Sequence, residues 1–301
     1  MGKTDIIFIA GPTASGKSAA ALRIAEALGG EIVNADAMQI YDGLRVITAR
    51  PTPADEARIP HHLYGVLDGS EACSAGRWGQ MAVACINDIR TRGQTVILVG
   101  GTGLYFKTLL DGLSPIPEIP SAIREAARLR RDTLGPTDFR EEVIARDPAM
   151  ARLPEGDTQR LVRAWEVFEG TGTRLSTFQD APRDPLVTDP VTKLAVLPNR
   201  EALYKACDAR AAQMMSSGAI EEVKGLMERK LDPALPVMKA LGVPEIISLL
   251  RGEQDQSEAA ELLQRNTRRF AKRQMTWLRH QMTDWPCYED TDRASASVIG
   301  N

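Results

Sequence analysis

The chain has 301 residues, with 37 Lys and Arg against 40 Asp and Glu and a formal charge of −3, so overall charge does not mark a nucleic-acid binder. Any such partner would have to meet a local patch. No run of about 18 apolar residues occurs, and the start MGKTDIIFIAG lacks the order of a signal peptide, so a soluble, cytoplasmic protein with no membrane partner is expected.

In chain order, the apolar run DIIFIA (5–10) is stopped by Gly-Pro, and KSAAALRIAEAL (17–28) has helical composition closed by Gly29-Gly30: strand, loop, helix. EIVNAD (31–36), TVILVGG (95–101) and KLAVLP (193–198) are further short apolar runs bounded by turn residues and separated by helix-length segments such as 74–92. Buried parallel strands with crossover helices follow. The Pro-rich stretches 113–120 and 180–190 bracket a charged, mostly helical segment. The expected fold is α/β, a phosphate-loop NTPase-like parallel sheet flanked by helices, with an inserted helical subdomain over 121–189 and a core made of 1–120 and 190–301. The later part reads as helices at 200–217, 218–230, 242–251 and 256–282, and EDTDRASASVIGN reads as a frayed tail.

Gly11-Pro12-Thr13-Ala14-Ser15-Gly16-Lys17-Ser18 matches G-x-x-x-x-G-K-[ST] in full, directly after a strand and opening a helix. Such a nucleotide-binding, ATP-binding type of loop turns backbone N–H groups toward phosphate oxygens, with Lys17 as cation and Ser18 as a ligand for Mg²⁺. The strand TVILV then runs into Gly100-Gly101-Thr102-Gly103, where an NTPase carries an acid. Either another acid serves the metal, or the loop grips a diphosphate for a purpose other than NTP hydrolysis. Asp36 is the leading acid, because a parallel strand ending in EIVNAD delivers it to the same crevice. An Asp just past a strand is also a common turn or helix-cap residue.

The order and spacing of GPTASGKS, NADAMQIYDGLRVITARP, VGGTGLYFKTLLDGL, DTQRLVRAWEVFEGTG and FAKRQMTWLR resemble the bacterial tRNA dimethylallyltransferases, also called isopentenyl-diphosphate:tRNA transferases, over nearly the whole chain. The resemblance implies transfer of a dimethylallyl group from its diphosphate to the N6 amine of the adenosine 3′ of the anticodon, in tRNAs reading codons that start with U. The phosphate loop, Gly11 through Ser18, would then hold a diphosphate leaving group, which answers for the missing acid. By the same resemblance Asp36 matches the general base, Thr102 a hydroxyl near the target nucleotide and Lys17 a catalytic cation. Asp36, Ala37, Met38, Gln39, Thr102, Arg124, Gln159, Arg160, Leu161, Val162 and Arg163 match tRNA contacts. Many relatives have Ser where this chain has Ala37. Mg²⁺ is the only cofactor implied, tRNA and dimethylallyl diphosphate are the partners, and a monomer is expected.

Other features carry less. Arg265, Arg268, Arg269, Lys272 and Arg273 fall at three- and four-residue spacing with no acid between them, a cationic stripe for RNA or for intramolecular pairing. Tyr41, Tyr105, Phe106, Trp165 and Trp277 are the aromatics on which a base could stack, and core positions suit them equally. His61-His62 reads as turn or packing residues, and Lys239 to Glu245 as a Gly-Val-Pro helix start. Cys73, Cys85, Cys207 and Cys287 form no C-x-x-C pair and read as free buried thiols. The rival readings are a prenyltransferase acting on free adenylate, a small-molecule kinase, and an RNA-binding protein with a vestigial loop.

Overall fold

A computed structural model describes residues 5–300. The chain falls into two compact units, one running to Leu110 and resuming at Leu186, the other Asp111–Pro185. The first begins with β1 (Ile6–Ala10), α1 (Lys17–Leu28), β2 (Gly30–Asn34), α2 (Arg45–Thr48), α3 (Pro53–Arg58), β3 (His61–His62), α4 (Ala75–Thr91), β4 (Thr95–Gly100) and α5 (Gly103–Leu110). The second holds α6 (Ser121–Arg146), α7 (Thr158–Thr171) and α8 (Leu175–Asp180). The first resumes with β5 (Val191–Val196), α9 (Arg200–Ser216), α10 (Ala219–Glu228), α11 (Val243–Leu250), α12 (Gln256–Gln281), β6 (Cys287–Tyr288) and α13 (Thr291–Ile299).

The sheet has six parallel strands in the order β3-β2-β4-β1-β5-β6. Every residue of β1, β2 and β4 is buried, the pattern of strands covered on both faces. Period-two alternation sends Ile6, Phe8, Val33, Val96 and Leu98 to one face, and Ile7, Ile9, Ile32, Ile97 and Val99 to the other, where Ala20, Ala21 and Ile24 of α1 and Ala294 of α13 cover them. Ala10 pairs with Gly100 and Asn34 with Val99, so these strands end level. The segments that leave them therefore emerge side by side at the carboxyl edge, where open parallel sheets place their sites.

The long helix α12 starts from a capping box in which Asp255 and Glu258 satisfy each other's backbone N–H. It buries Ala259, Leu263, Thr267, Ala271, Gln274 and Leu278 at helical spacing. In the second unit α6 breaks at Gly135, whose φ of 75° suits only glycine well, followed by Pro136. Phe139, Val143, Leu161 and Trp165 form that unit's own core.

The expected frayed tail is instead α13, capped by Asp290, which accepts from Arg293 N at 2.8 Å. Its Ala294 is fully buried, and Asp292 pairs with Arg23 of α1. The two-residue strands β3 and β6 were not foreseen, because so short an edge has no apolar run to announce it. No helix among the described residues is long and apolar enough to cross a membrane.

Candidate active site

Residues 11–18 leave β1 and turn into α1. An added Cβ on Gly11 would sit 2.6 Å from Ser15 Oγ and 2.8 Å from the carbonyl oxygen of Val196, so only glycine fits. Gly16, at φ 88°, occupies the N-cap of α1, with no side chain capping the helix and no acid in its first turn. The free N–H groups of that turn are thus left for an anion. Lys17 Nζ donates to Pro12 O at 3.2 Å. Its ammonium end lies among protein atoms, and this desolvation lowers its pKa to about 8; Asp36 opposes the shift and Arg210 adds to it.

Arg210 had no place in the sequence reading. It rises from α9, donates to Thr48 O at 3.1 Å, and its pKa is lowered by desolvation against the attraction of Asp36. Its signal was present in the sequence: α9 buries Leu203, Cys207, Ala211 and Met214, and position 210 interrupts that apolar face with a charge. Four buried side-chain polar atoms lack a hydrogen-bond partner among the described residues, and two of them are Ser15 Oγ and Arg210 Nε. Two cations, open helical N–H groups and orphaned donors make a receptor for a multiply charged anion.

Asp36 follows β2 and is partly exposed. Its main chain is held from both sides by fully buried Asn34, whose Oδ1 accepts from Asp36 N at 2.8 Å and whose Nδ2 donates to Asp36 O at 3.0 Å. Asp36 Oδ1 accepts from Met38 N at 3.0 Å. Thr102, in the loop just past β4, accepts from Ala37 N at 2.9 Å through Oγ1 and leaves its own proton for another acceptor. Asn34, part of the quoted NADAMQ, is therefore a support that sequence reading left unassigned.

A cavity of about 460 Å³ runs beside these groups, lined by Thr13, Asp36 and Arg210 on its polar side and by Met38, Ile47 and Phe270 on its apolar side. Lys239 and Glu245 also line it. The Gly-Val-Pro helix start thus forms cavity wall, with Glu245 accepting from Gly242 N at 3.0 Å and from Asn266 Nδ2 at 2.7 Å.

The other residues singled out in the sequence are placed as follows. Gln39, which the resemblance places at the RNA, donates from Nε2 to Thr48 O and Ala49 O at 2.8 and 3.0 Å. Leu161 is 2% exposed in the core of the second unit, which leaves Gln159 and Arg160 exposed and Val162 and Arg163 half-buried on α7. Arg163 pairs with Glu166 at 3.1 Å, while Arg124 is exposed on α6. Arg268 is paired with Asp208 of α9, whereas Arg265, Arg269 and Lys272 have no carboxylate partner among the described residues. Arg269, Lys272 and Arg273 line an open groove of about 520 Å³ with half-buried Trp277. Tyr41, Tyr105, Phe106 and Trp165 are core residues. His62 is hydrogen-bonded to Glu31 and His61 to Ile59 O, structural engagements on an edge strand. The cysteines are free, but only Cys207 is fully buried and Cys287 is exposed.

Comparison with known proteins places this geometry among relatives. Residues 39–281 match the family model described as IPP transferase. The chain is 53% identical to a tRNA dimethylallyltransferase of Phenylobacterium zucineum, over 93% of this chain and 91% of that one. It is 47% identical to one of Nitrobacter hamburgensis over 99% and 95%. Among solved structures, the full-length tRNA isopentenylpyrophosphate transferase of Bacillus halodurans superposes with a TM-score of 0.71 at 28% identity, covering 99% of this chain and 95% of that one. A eukaryotic dimethylallyltransferase acting on tRNA superposes at 0.73 with 28% identity, over 92% of this chain and 70% of the other.

Proposed function

The chain belongs to the IPP transferase family, and from that premise we propose that it transfers a dimethylallyl group from dimethylallyl diphosphate to the N6 amine of an adenosine in tRNA. The acceptor is the adenosine 3′ of the anticodon in tRNAs reading codons that begin with U. The observation that carries this reading is one cavity bounded by Asp36, by the cation Arg210 and by an apolar wall, beside a loop built for phosphate. A charged head, a short hydrocarbon tail and a proton acceptor are what prenyl transfer to nitrogen requires.

The loop N–H groups, Lys17 and Arg210 would bind the diphosphate, while Met38, Ile47 and Phe270 would seat the prenyl tail. The allylic C–O bond breaks as the adenine N6–C bond forms, and the electron pair leaves with the diphosphate. The amine lone pair is delocalised into the adenine ring, so the nucleophile is weak until its proton begins to leave. Asp36 would take that proton, with Thr102 donating its hydroxyl hydrogen to the acceptor nucleotide. Ser18, exposed at the first turn of α1 beside the phosphate loop, offers the hydroxyl that would hold Mg²⁺. When bound, the ion would neutralise charge developing on the leaving group.

RNA would be met by Arg265, Arg269 and Lys272 on α12, which have no carboxylate partner among the described residues, and by Arg124, Gln159 and Arg160 of the helical unit. We take the enzyme to act as a cytoplasmic monomer. The test is incubation with dimethylallyl diphosphate, Mg²⁺ and either unmodified tRNA or AMP, followed by mass analysis of the nucleosides. Prenyladenosine should arise from tRNA, and Asp36→Asn should form it about 10²–10⁴-fold more slowly. Product from AMP but not tRNA would overturn the reading.

A further inference from the structure

Gln274 is a buried carboxamide, 8% exposed, on the face of α12 turned to the sheet edge. Its Oε1 accepts from Thr13 N of the phosphate loop at 2.8 Å, and its Nε2 donates to Gly101 O, beyond β4, at 3.0 Å. Reversing the amide would set its NH₂ against an N–H and its oxygen against a carbonyl, so the orientation is dictated by the partners. Asn is shorter by one methylene, Glu lacks the donor and Met lacks both functions.

The approach is close. A Cβ on Gly101 would lie 2.2 Å from Gln274 Nε2, and one turn further along α12 the Trp277 ring covers Gly103, where a Cβ would lie 1.8 Å from it. Gly101 is followed by Thr102, whose N donates to Ala35 O at 3.2 Å and whose Oγ1 accepts from Ala37 N. One continuous set of hydrogen bonds therefore runs from the phosphate loop through Gln274 to the segment carrying Asp36. Within this set, the Gln274 carboxamide is the direct tie between Thr13 and Gly101.

We propose that Gln274 is a positioning residue that fixes the distance between the diphosphate cradle and the Asp36–Thr102 pair, and with it the gap across which the allylic carbon meets the amine. The inference rests on the prenyl-transfer reading above. Both polar functions of Gln274 are engaged within the protein, by Thr13 N and Gly101 O. A misplacement of about 1 Å between reacting groups lowers a rate by about 10²-fold, so the effect belongs in the chemical step rather than in binding.

The experiment is single-turnover transfer with saturating donor and tRNA, in wild type, Gln274→Glu and Gln274→Met, with rates expressed per donor-binding site. Both variants should slow transfer about 10–100-fold at neutral pH while the affinities for donor and tRNA change less than about threefold. Gln274→Glu should recover relative to wild type as pH falls toward 5.5, because a protonated carboxyl regains a donor in place of the amide NH₂; Gln274→Met should not recover. Lower thermal stability with wild-type rates per donor-binding site would reduce Gln274 to a structural contact and overturn the inference alone. Wild type that makes no prenyladenosine would overturn the functional reading and this inference together.

Discussion

Two glycine-rich loops leave neighbouring strands of the same sheet, and they work by opposite physics. The loop after β1 gathers charge: Lys17 sits in it, Arg210 lies beside it, and the first turn of α1 is left open. The loop after β4, Gly100 through Gly103, carries no ionisable group and offers one hydroxyl and three close approaches, by the Ala35 backbone to Gly100 and by the Gln274 and Trp277 side chains to Gly101 and Gly103. A Cβ on Gly100 would lie 2.0 Å from Ala35 O, nearer than any atom can be accommodated. One loop binds by electrostatics and the other places by shape. Their sensitivities to charge, pH and volume should therefore separate cleanly.

The largest effect is expected on the charged side. Lys17→Met should leave the fold intact and lower kcat/KM about 10³-fold, the size seen when one preorganised donor to a developing charge is removed. Circular dichroism with steady-state kinetics checks both halves, and a loss under about tenfold would mean that Arg210 and the helix terminus carry the anion by themselves. Next, Gly100→Ala should strike stability, by about 2–3 kcal/mol in urea unfolding, because its methyl would meet the backbone of the Asp36 segment. An unchanged unfolding midpoint would show that the neutral loop yields, contrary to a role set by shape.

The smallest effect concerns pH. Donor affinity should fall by close to tenfold per unit above about 8, where Lys17 loses its proton, and the slope should vanish in Lys17→Met. The stability of the free protein should move the other way. The native pKa is depressed, so between about 8 and the ordinary lysine value of 10.5 the unfolded chain holds a proton that the native chain has shed. Stability therefore rises with pH across that window. Titration of donor binding and urea midpoints in the same buffers reads both slopes, and parallel slopes would remove Lys17 from the account.

What could be read in advance follows the range of the interactions. The phosphate loop and β1, β2 and β4 were legible because fully buried parallel strands are unbroken apolar runs and glycines punctuate their ends. Asp36 and Thr102 were legible as partners through resemblance, since spacing alone left Asp36 open to a turn role. Arg210 and Gln274 were not, because each acts on residues far away in sequence, and helical periodicity tells which face is buried but not what it meets. Arg268 looked identical in pattern to Arg269, and the position of Asp208 on α9 is what pairs the first, while the second has no carboxylate partner among the described residues. In the tail, Asp290 was a readable cap, but the pairing of β6 with β5 that delivers α13 to α1 spans about ninety residues and leaves no local trace.

The bond from Thr13 to Gln274 joins residues 261 positions apart. During translation at about 5–20 residues per second, the phosphate loop leaves the ribosome roughly 13–50 s before the helix that completes its hydrogen bonding. Thr291, whose hydroxyl reaches Gly16 O at 3.4 Å, arrives later still. A nascent chain that has already made its phosphate motif thus still lacks two of the contacts that hold it, and gains them only when α12 and α13 dock.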